Sequence, residues 1–391
     1  MSVLSTDVRV RMFSRVLTIG SFLFAPIIYY ATHRRRKKSV EKKYVDRFFI
    51  TLQLTRIGDI VCTTPVFHTI KKAYPDSFIA VLVSRKAAGV LVHNPYIDEL
   101  IVLENYKGSL YKLVRKIQKE NFDASLSFSG TTFTSLLFFW GLIPIRIKLT
   151  RRPRPVTERL TDWQNTLEEE YTHHTFAPGF YLSMLRYVGI HDTHSEKQVY
   201  TTAETDIYMQ KFLEEQGIKK NDTVVGISIT AGNKIKEWGD ERFGKVAMRL
   251  VNEYGAKIIW IGGAWDRERI EKLIKSLGNA TSQSIATHFS LEELPSLVKS
   301  LSLYIAVDTG PIYIAHALGT PLVDITGPVD PWEQPPHDEK SICVTPPAPF
   351  YPSSFVFKTR GASEETKKAL DAITVDEVVA AAAYLLKKKK M

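Results

Sequence analysis

From residue 48 to residue 326 the chain repeats one pattern: a short apolar run, a turn, then a stretch of helical period. The apolar runs of the first half are FFITLQL (48–54), FIAVLVS (78–84), LIVL (100–103) and ASLSF (124–128). Those of the second half are VVGISI (224–229), AKIIWIGG (256–263), LYIAVD (303–308) and PLVDIT (321–326). Most are apolar without alternation, as parallel strands buried on both faces are. Between them lie amphipathic stretches such as DERFGKVAMRLVNEYG (240–255). The alternation predicts an α/β protein with two open, doubly wound sheets joined by right-handed crossovers. It lapses after residue 190, where HDTHSEKQVYTTAETD (191–206) holds few apolar positions. A hinge there divides the body into domains 44–200 and 201–391, and 391 residues suit two domains of ordinary size.

A different pattern precedes the body. VLTIGSFLFAPIIYYAT (16–32) is uncharged for 17 positions and lies between Arg15 and the basic run HRRRKK (33–38). That length is at the lower edge of the ~17–25 residues that cross a bilayer core. The basic run acts as a stop to translocation and by the positive-inside rule faces the cytoplasm. Residues 1–43 are therefore expected to be a membrane anchor, a single pass or an interfacial helix, with the body in the cytoplasm.

Charge supports this placement. The net charge is +10, but residues 33–43 carry seven Lys/Arg against one Glu, Lys387 to Lys390 add four more, and the body (44–386) stands at −2. A body without excess positive charge argues against a nucleic-acid partner. Basic flanks suit an anionic membrane surface. The two cysteines, Cys62 and Cys343, form no CxxC, which implies a reducing compartment and no zinc site. Cys62 reads as a small buried residue at a strand–helix junction rather than as a nucleophile.

The candidate chemistry lies at strand ends, where ligands bind in open α/β sheets. QLTRIGDIVCTTPVFHTIKKAYPD (53–76) sets Arg56, Gly58 and Asp59 at the mouth of the first strand. Thr64 is placed to cap the following helix, Pro65 to open it and Pro75 to end it. Nothing about folding needs a charged pair at that mouth. In the second half, LYIAVD ends at Asp308 and Thr309-Gly310-Pro311 opens a helix. Free amides at Thr309 and Gly310 would seat an anion, and Gly310 would let a phosphate approach the backbone. The same turn serves equally as an ordinary junction capped by Asp308 or Thr309. In SITAGNKIKEW (228–238), Ala231 and Gly232 are small enough for a ligand to lie against, Lys234 and Lys236 offer cations to a diphosphate, and Trp238 offers a packing plane. No D-x-D pair occurs, so the charge of a leaving diphosphate falls to lysine and helix amides, with no metal and no cofactor expected. His173 and His174 lack acidic or Cys partners at metal spacing, and His316 reads as a packed helix residue. Neither GxSxG nor GxGxxG is present, which excludes the commonest hydrolase and dinucleotide fingerprints.

In order along residues 46–335, these segments resemble glycosyltransferase family 9, the bacterial heptosyltransferases of the lipopolysaccharide inner core. RIGDIVCTTPVFHTIKKAYPD is similar to the family's N-terminal signature, SGTTFTSLLFFWGLIPIRI (129–147) to its small-residue turn and apolar helix, and HHTFAPGFYLSMLRYVGI (173–190) to the helix ending its first domain. AGNKIKEWGDERF resembles its Lys-x-Trp-Pro segment, FSLEEL its Ser-Leu-Glu segment, and VDTGPIYIAHALGTPLVDITGPVDP its donor-binding signature. The resemblance implies a GT-B fold, two Rossmann-like domains facing across a cleft, with acceptor on the first and nucleotide sugar on the second. It implies an inverting, metal-independent transfer at the inner membrane, with ADP-heptose as donor and a lipopolysaccharide core or other lipid-linked glycan as acceptor. By the same resemblance Asp59 matches the catalytic base, Lys236 the lysine that meets the donor phosphates, and Asp308, Thr309 and Gly310 the donor loop. Arg56 and Gly58 fall to the acceptor side. The family usually has His where this chain has Tyr313, and Pro where it has Gly239. Tyr313 keeps open another nucleotide sugar for another glycan. A non-catalytic, membrane-tethered sugar- or nucleotide-binding module is the remaining alternative.

Overall fold

All eight apolar runs become strands, and four further strands join them in a computed structural model that describes residues 14–21, 23–28, 30, 32, 45–106, 109–278, 283–356, 358–359 and 364–390. In the first half, β1 (Arg47–Thr51), β2 (Phe78–Val83), β3 (Glu99–Val102), β4 (Ala124–Ser127), β5 (Ile145–Arg151) and β6 (Leu167–Tyr171) form one sheet in the order β3-β2-β1-β4-β5-β6. In the second half, β7 (Val224–Ser228), β8 (Lys257–Ile261), β9 (Gln283–Ala286), β10 (Leu303–Val307), β11 (Leu322–Ile325) and β12 (Ser341–Val344) form another in the order β12-β11-β10-β7-β8-β9. Every pairing in both sheets is parallel. Counted from its own first strand, each sheet runs 3-2-1-4-5-6. That is the doubly wound dinucleotide-fold order, whose ligand crevice opens where the order reverses, between first and fourth strands. In this chain those places are the ends of β1 and β4, and of β7 and β10.

The chain forms two units, Met1–Ala88 with Asn94–Glu196, and Gly89–His93 with Lys197–Met391. Each has its own core because the central strands of each sheet are apolar on both faces. In the first unit Phe49 packs between Phe122 and Phe138 at ring-centroid distances of 5.2 and 5.9 Å, with Leu82, Leu113 and Ile117 around them. In the second, Ile227, Trp260, Ile305 and Val323 meet helices Asp240–Tyr254 and Val375–Lys390 through Val246, Leu250 and Val379. Each such side chain contributes about 1.5–3 kcal/mol when fully buried, so both sheets hold their strand ends rigidly.

The expected membrane span is not found: among the described residues no helix is long and apolar enough to cross a membrane. Residues 14–21, 23–28, 30 and 32 are helical, but this segment belongs to the first unit and packs on it. Trp140 Nε1 donates to Ser21 Oγ (3.0 Å) and to Leu17 O (3.3 Å), and Phe24 meets the Trp140 ring edge-on at 6.2 Å. Ser21, Ile28 and Thr32 are buried. A helix with one flank held by protein is not a lipid-surrounded span. Phe22, Tyr29, Ala31 and the basic run 33–43 lie outside the described residues. At the other end, Lys388 of the lysine tail pairs with Glu339 at 3.0 Å.

Candidate functional site

β7 and β10 are neighbours, with Ser228 beside Ala306, so their following turns emerge together. After β7, Asn233 accepts from the Ile235 amide (3.3 Å) and starts a single 3-10 turn, Lys234–Lys236. That turn brings Lys236 back over the sheet end, where its Nζ donates to Asp308 Oδ2 at 2.5 Å. Asp308 itself is buried, and the Tyr313 hydroxyl donates to its other oxygen. An ammonium has three donors, so Lys236 keeps donor capacity for an anion while holding Asp308. Gly232 is exposed and a Cβ built on it would meet nothing within 4 Å, while Ala231 packs against the core behind it. After β10, Thr309 is extended and begins helix Gly310–Ala317 with Pro311 in its first turn, and no side chain caps that helix. The capped-junction alternative is therefore not realised: Asp308 is engaged by Lys236 and Tyr313, and the first-turn amides carry the helix's partial positive charge. Behind this loop, buried Lys197 places Nζ 5.7 Å from the Tyr313 ring centroid and 3.4 Å from His316 Nδ1. His316 Nε2 lies 3.1 Å from Asp338 Oδ2, and its hydrogen bond holds that carboxyl well below the usual range.

In the first unit, the turn after β1 becomes helix Ile57–Thr63 immediately, which sets Gly58 and Asp59 in its first turn. Asp59 is 5 % exposed, and the Arg56 guanidinium, more than half exposed, stands 3.8 Å from its carboxylate. A carboxylate in a helix's first turn is favoured by the dipole. The expected cap at Thr64 does not form. Thr64 is itself helical, its Oγ1 donates to Val61 O (2.7 Å), and helix Pro65–Ala73 continues with no side-chain cap. Cys62 is fully buried in the same helix. Among the described residues no three His, Cys, Asp or Glu side chains gather to hold a metal.

The fold has counterparts in known proteins. Residues 110–353 match glycosyltransferase family 9 (heptosyltransferase). The chain belongs to that family. It is a glycosyltransferase. Lipopolysaccharide heptosyltransferase 3 of Escherichia coli K12 is 26 % identical over 341 residues, covering 84 % of this chain and 95 % of the relative. A family 9 glycosyl transferase structure from Veillonella parvula superposes with a TM-score of 0.73 at 24 % identity, over 88 % of this chain and 98 % of that one. The E. coli ADP-heptose heptosyltransferase II structure does so with a TM-score of 0.70 at 16 % identity, over 88 % and 100 %. These two structures share the fold.

One feature of this family 9 transferase departs from the sequence reading. Trp238 offers no plane to a ligand: it is 2 % exposed, donates through Nε1 to Ile373 O (3.1 Å) and packs edge-on against Phe243. Gly239 has φ +111°, which a proline ring cannot adopt. Asp324 is the residue that sequence reasoning missed, although an Asp inside the apolar run PLVDIT is a visible signal. It lies in β11, fully buried, and neither carboxyl oxygen has a hydrogen-bond partner. Burial first and the negative charge of Asp308 second push its carboxyl well above the usual range, against the opposing charges of Lys236 and Lys197. The folded protein therefore keeps a proton that the unfolded chain releases near pH ~3.9. Stability is full below that pH and falls as pH rises towards the folded-state value, by at most about 1.4 kcal/mol per pH unit. Asp324→Asn is expected to melt above the parent at about pH 8 and level with it at about pH 4, which paired melting curves will check.

Proposed function

We propose that the protein transfers a heptose, with inversion and without a metal, from ADP-heptose to a lipopolysaccharide core acceptor at the cytoplasmic face of the inner membrane. The observation that carries this reading is the Lys236–Asp308 pair at the reversal point of the second sheet, beside the open backbone of Gly232 and the uncapped amides of Thr309 and Gly310. The name of the E. coli K12 relative, lipopolysaccharide heptosyltransferase 3, supports the sugar and the acceptor.

An acceptor hydroxyl oxygen attacks the anomeric carbon from the face opposite the diphosphate. The new C–O bond forms as the anomeric carbon–phosphate oxygen bond breaks. Asp59 takes the hydroxyl proton, a role worth ~10²–10⁴-fold in rate. Arg56 pairs with a phosphate or carboxylate of the acceptor, and Gly58 leaves room for it. The nucleoside diphosphate leaves with its charge met by Lys236 and the Thr309 and Gly310 amides. Ala231 and Gly232 offer the flat floor on which the nucleotide lies. Tyr313 fixes Asp308 so that Lys236 is aimed.

A second reading rests on Tyr313. Its hydroxyl is committed to Asp308, at a position where the family usually has His, so another nucleotide sugar for another glycan fits the same chemistry. Ligand-dependent melting against ADP, UDP, GDP, CMP and ADP-heptose separates the two. A ligand at a hundred times its dissociation constant adds ~2.7 kcal/mol to the folded state. Stabilisation by ADP, and more by ADP-heptose, is the expected result. Preference for UDP or GDP selects the second reading. No shift with any of them points to a donor site that forms only with acceptor present.

A further inference from the structure

The helical segment at the N-terminus wears its residues inside out. A surface helix ordinarily turns its apolar stripe to the core and its polar face to water. Here the side against the first unit carries Leu17, Gly20, Ser21, Ile28 and Thr32, all buried or half-buried. Their hydroxyls are satisfied within the helix: Ser21 Oγ donates to Leu17 O (2.7 Å) and Thr32 Oγ1 to Ile28 O (2.9 Å). A Cβ placed on Gly20 would come within 3.2 Å of the Trp140 ring, so the close approach suits a small residue. The opposite side carries Val16, Ile19, Leu23 and Ile27, which are 66, 67, 73 and 67 % exposed. An apolar face of this extent marks an interaction site.

Charge identifies the occupant. Arg15 is exposed on the same helix, and the eleven residues 33–43 that follow the apolar stretch carry seven Lys/Arg against one Glu, while the body is at −2. A second copy or a protein groove would need only the apolar side chains. An in-plane apolar face joined to a polybasic run is the combination that holds a protein on an anionic lipid surface. We propose that this helical segment lies flat in the interface of an anionic bilayer, with Val16, Ile19, Leu23 and Ile27 among the acyl chains. The helix is fixed to Trp140, so this docking brings the unit that holds Asp59 to the membrane. The inference goes beyond the proposed transfer and does not depend on the donor.

The test is flotation of the purified full-length chain with phosphatidylcholine vesicles and with vesicles containing about one-quarter phosphatidylglycerol. The protein is expected to float with the anionic vesicles, to bind the neutral ones far less, and to lose binding as salt rises. Leu23→Ser with Ile27→Ser is expected to weaken the anionic binding by about tenfold or more. Both side chains face outward, so the melting temperature of this variant should match the parent's. Unchanged flotation of the variant overturns the proposal, as does failure of the parent to bind anionic vesicles. A parent dimer that the double substitution splits, with vesicle binding intact, overturns it in favour of a second copy on this face.

Discussion

Asp59→Asn is expected to lower turnover by ~10²–10⁴-fold while leaving the fold and nucleotide-dependent stabilisation in place. The expectation starts from position. Asp59 is 5 % exposed in the first turn of helix Ile57–Thr63, at the end of a strand whose own packing does not require a carboxylate. The Arg56 guanidinium stands 3.8 Å from its carboxylate. Asparagine keeps the shape and one carbonyl oxygen but has no basic site at neutral pH. Loss of the dipole interaction costs about 0.3–1 kcal/mol, well short of unfolding a domain. Product formation measured with donor and acceptor saturating, beside melting curves with and without nucleotide, separates lost chemistry from lost structure. A variant that turns over near the parent rate would remove Asp59 from the role of base.

The strands and the turn at Asp308 are legible in the sequence for one reason. A parallel strand buried on both faces must be apolar throughout, and the residues that end the apolar run are then those at the ligand-binding edge. Two of the four strands that escape this reading break the rule visibly. β5, IRIKLTR, buries Arg146 and Lys148. Arg146 donates to Ile143 O (2.6 Å) and to Gln164 O, and Lys148 pairs with Asp162 at 3.4 Å. β6, LEEEY, spends its glutamates on arginines: Glu168 on Arg154, Glu169 on Arg186, Glu170 on Arg152. Those charges look like a solvated loop until their distant partners are known. Trp238 fails for the same reason, since the carbonyl it bonds belongs to Ile373. The N-terminal segment fails differently. Hydropathy counts apolar residues without regard to face, and the docking of Gly20 and Ser21 on Trp140 is a property of the face.

Lys236 carries the second large prediction, because two different losses follow from removing one ammonium. Lys236→Ala takes from the diphosphate a charge-assisted hydrogen bond worth about 1.5–3 kcal/mol, so nucleotide should bind about tenfold to a hundredfold more weakly. It also leaves buried Asp308 with only the Tyr313 hydroxyl as partner, which should destabilise the fold by about 1–3 kcal/mol. A melting curve alone would confuse the two. Adding Asp308→Asn resolves them, since the buried group is then neutral and no longer needs a cation. The double variant is expected to regain most of the lost stability in the absence of ligand and to show no recovery of nucleotide-dependent stabilisation. Lys236→Arg keeps the charge but spreads it over a planar fork, so it should hold Asp308 while binding nucleotide less well than the parent. If the double variant recovered nucleotide binding along with stability, Lys236 would be a partner for Asp308 and nothing more, and the diphosphate would have to be met by the helix amides alone.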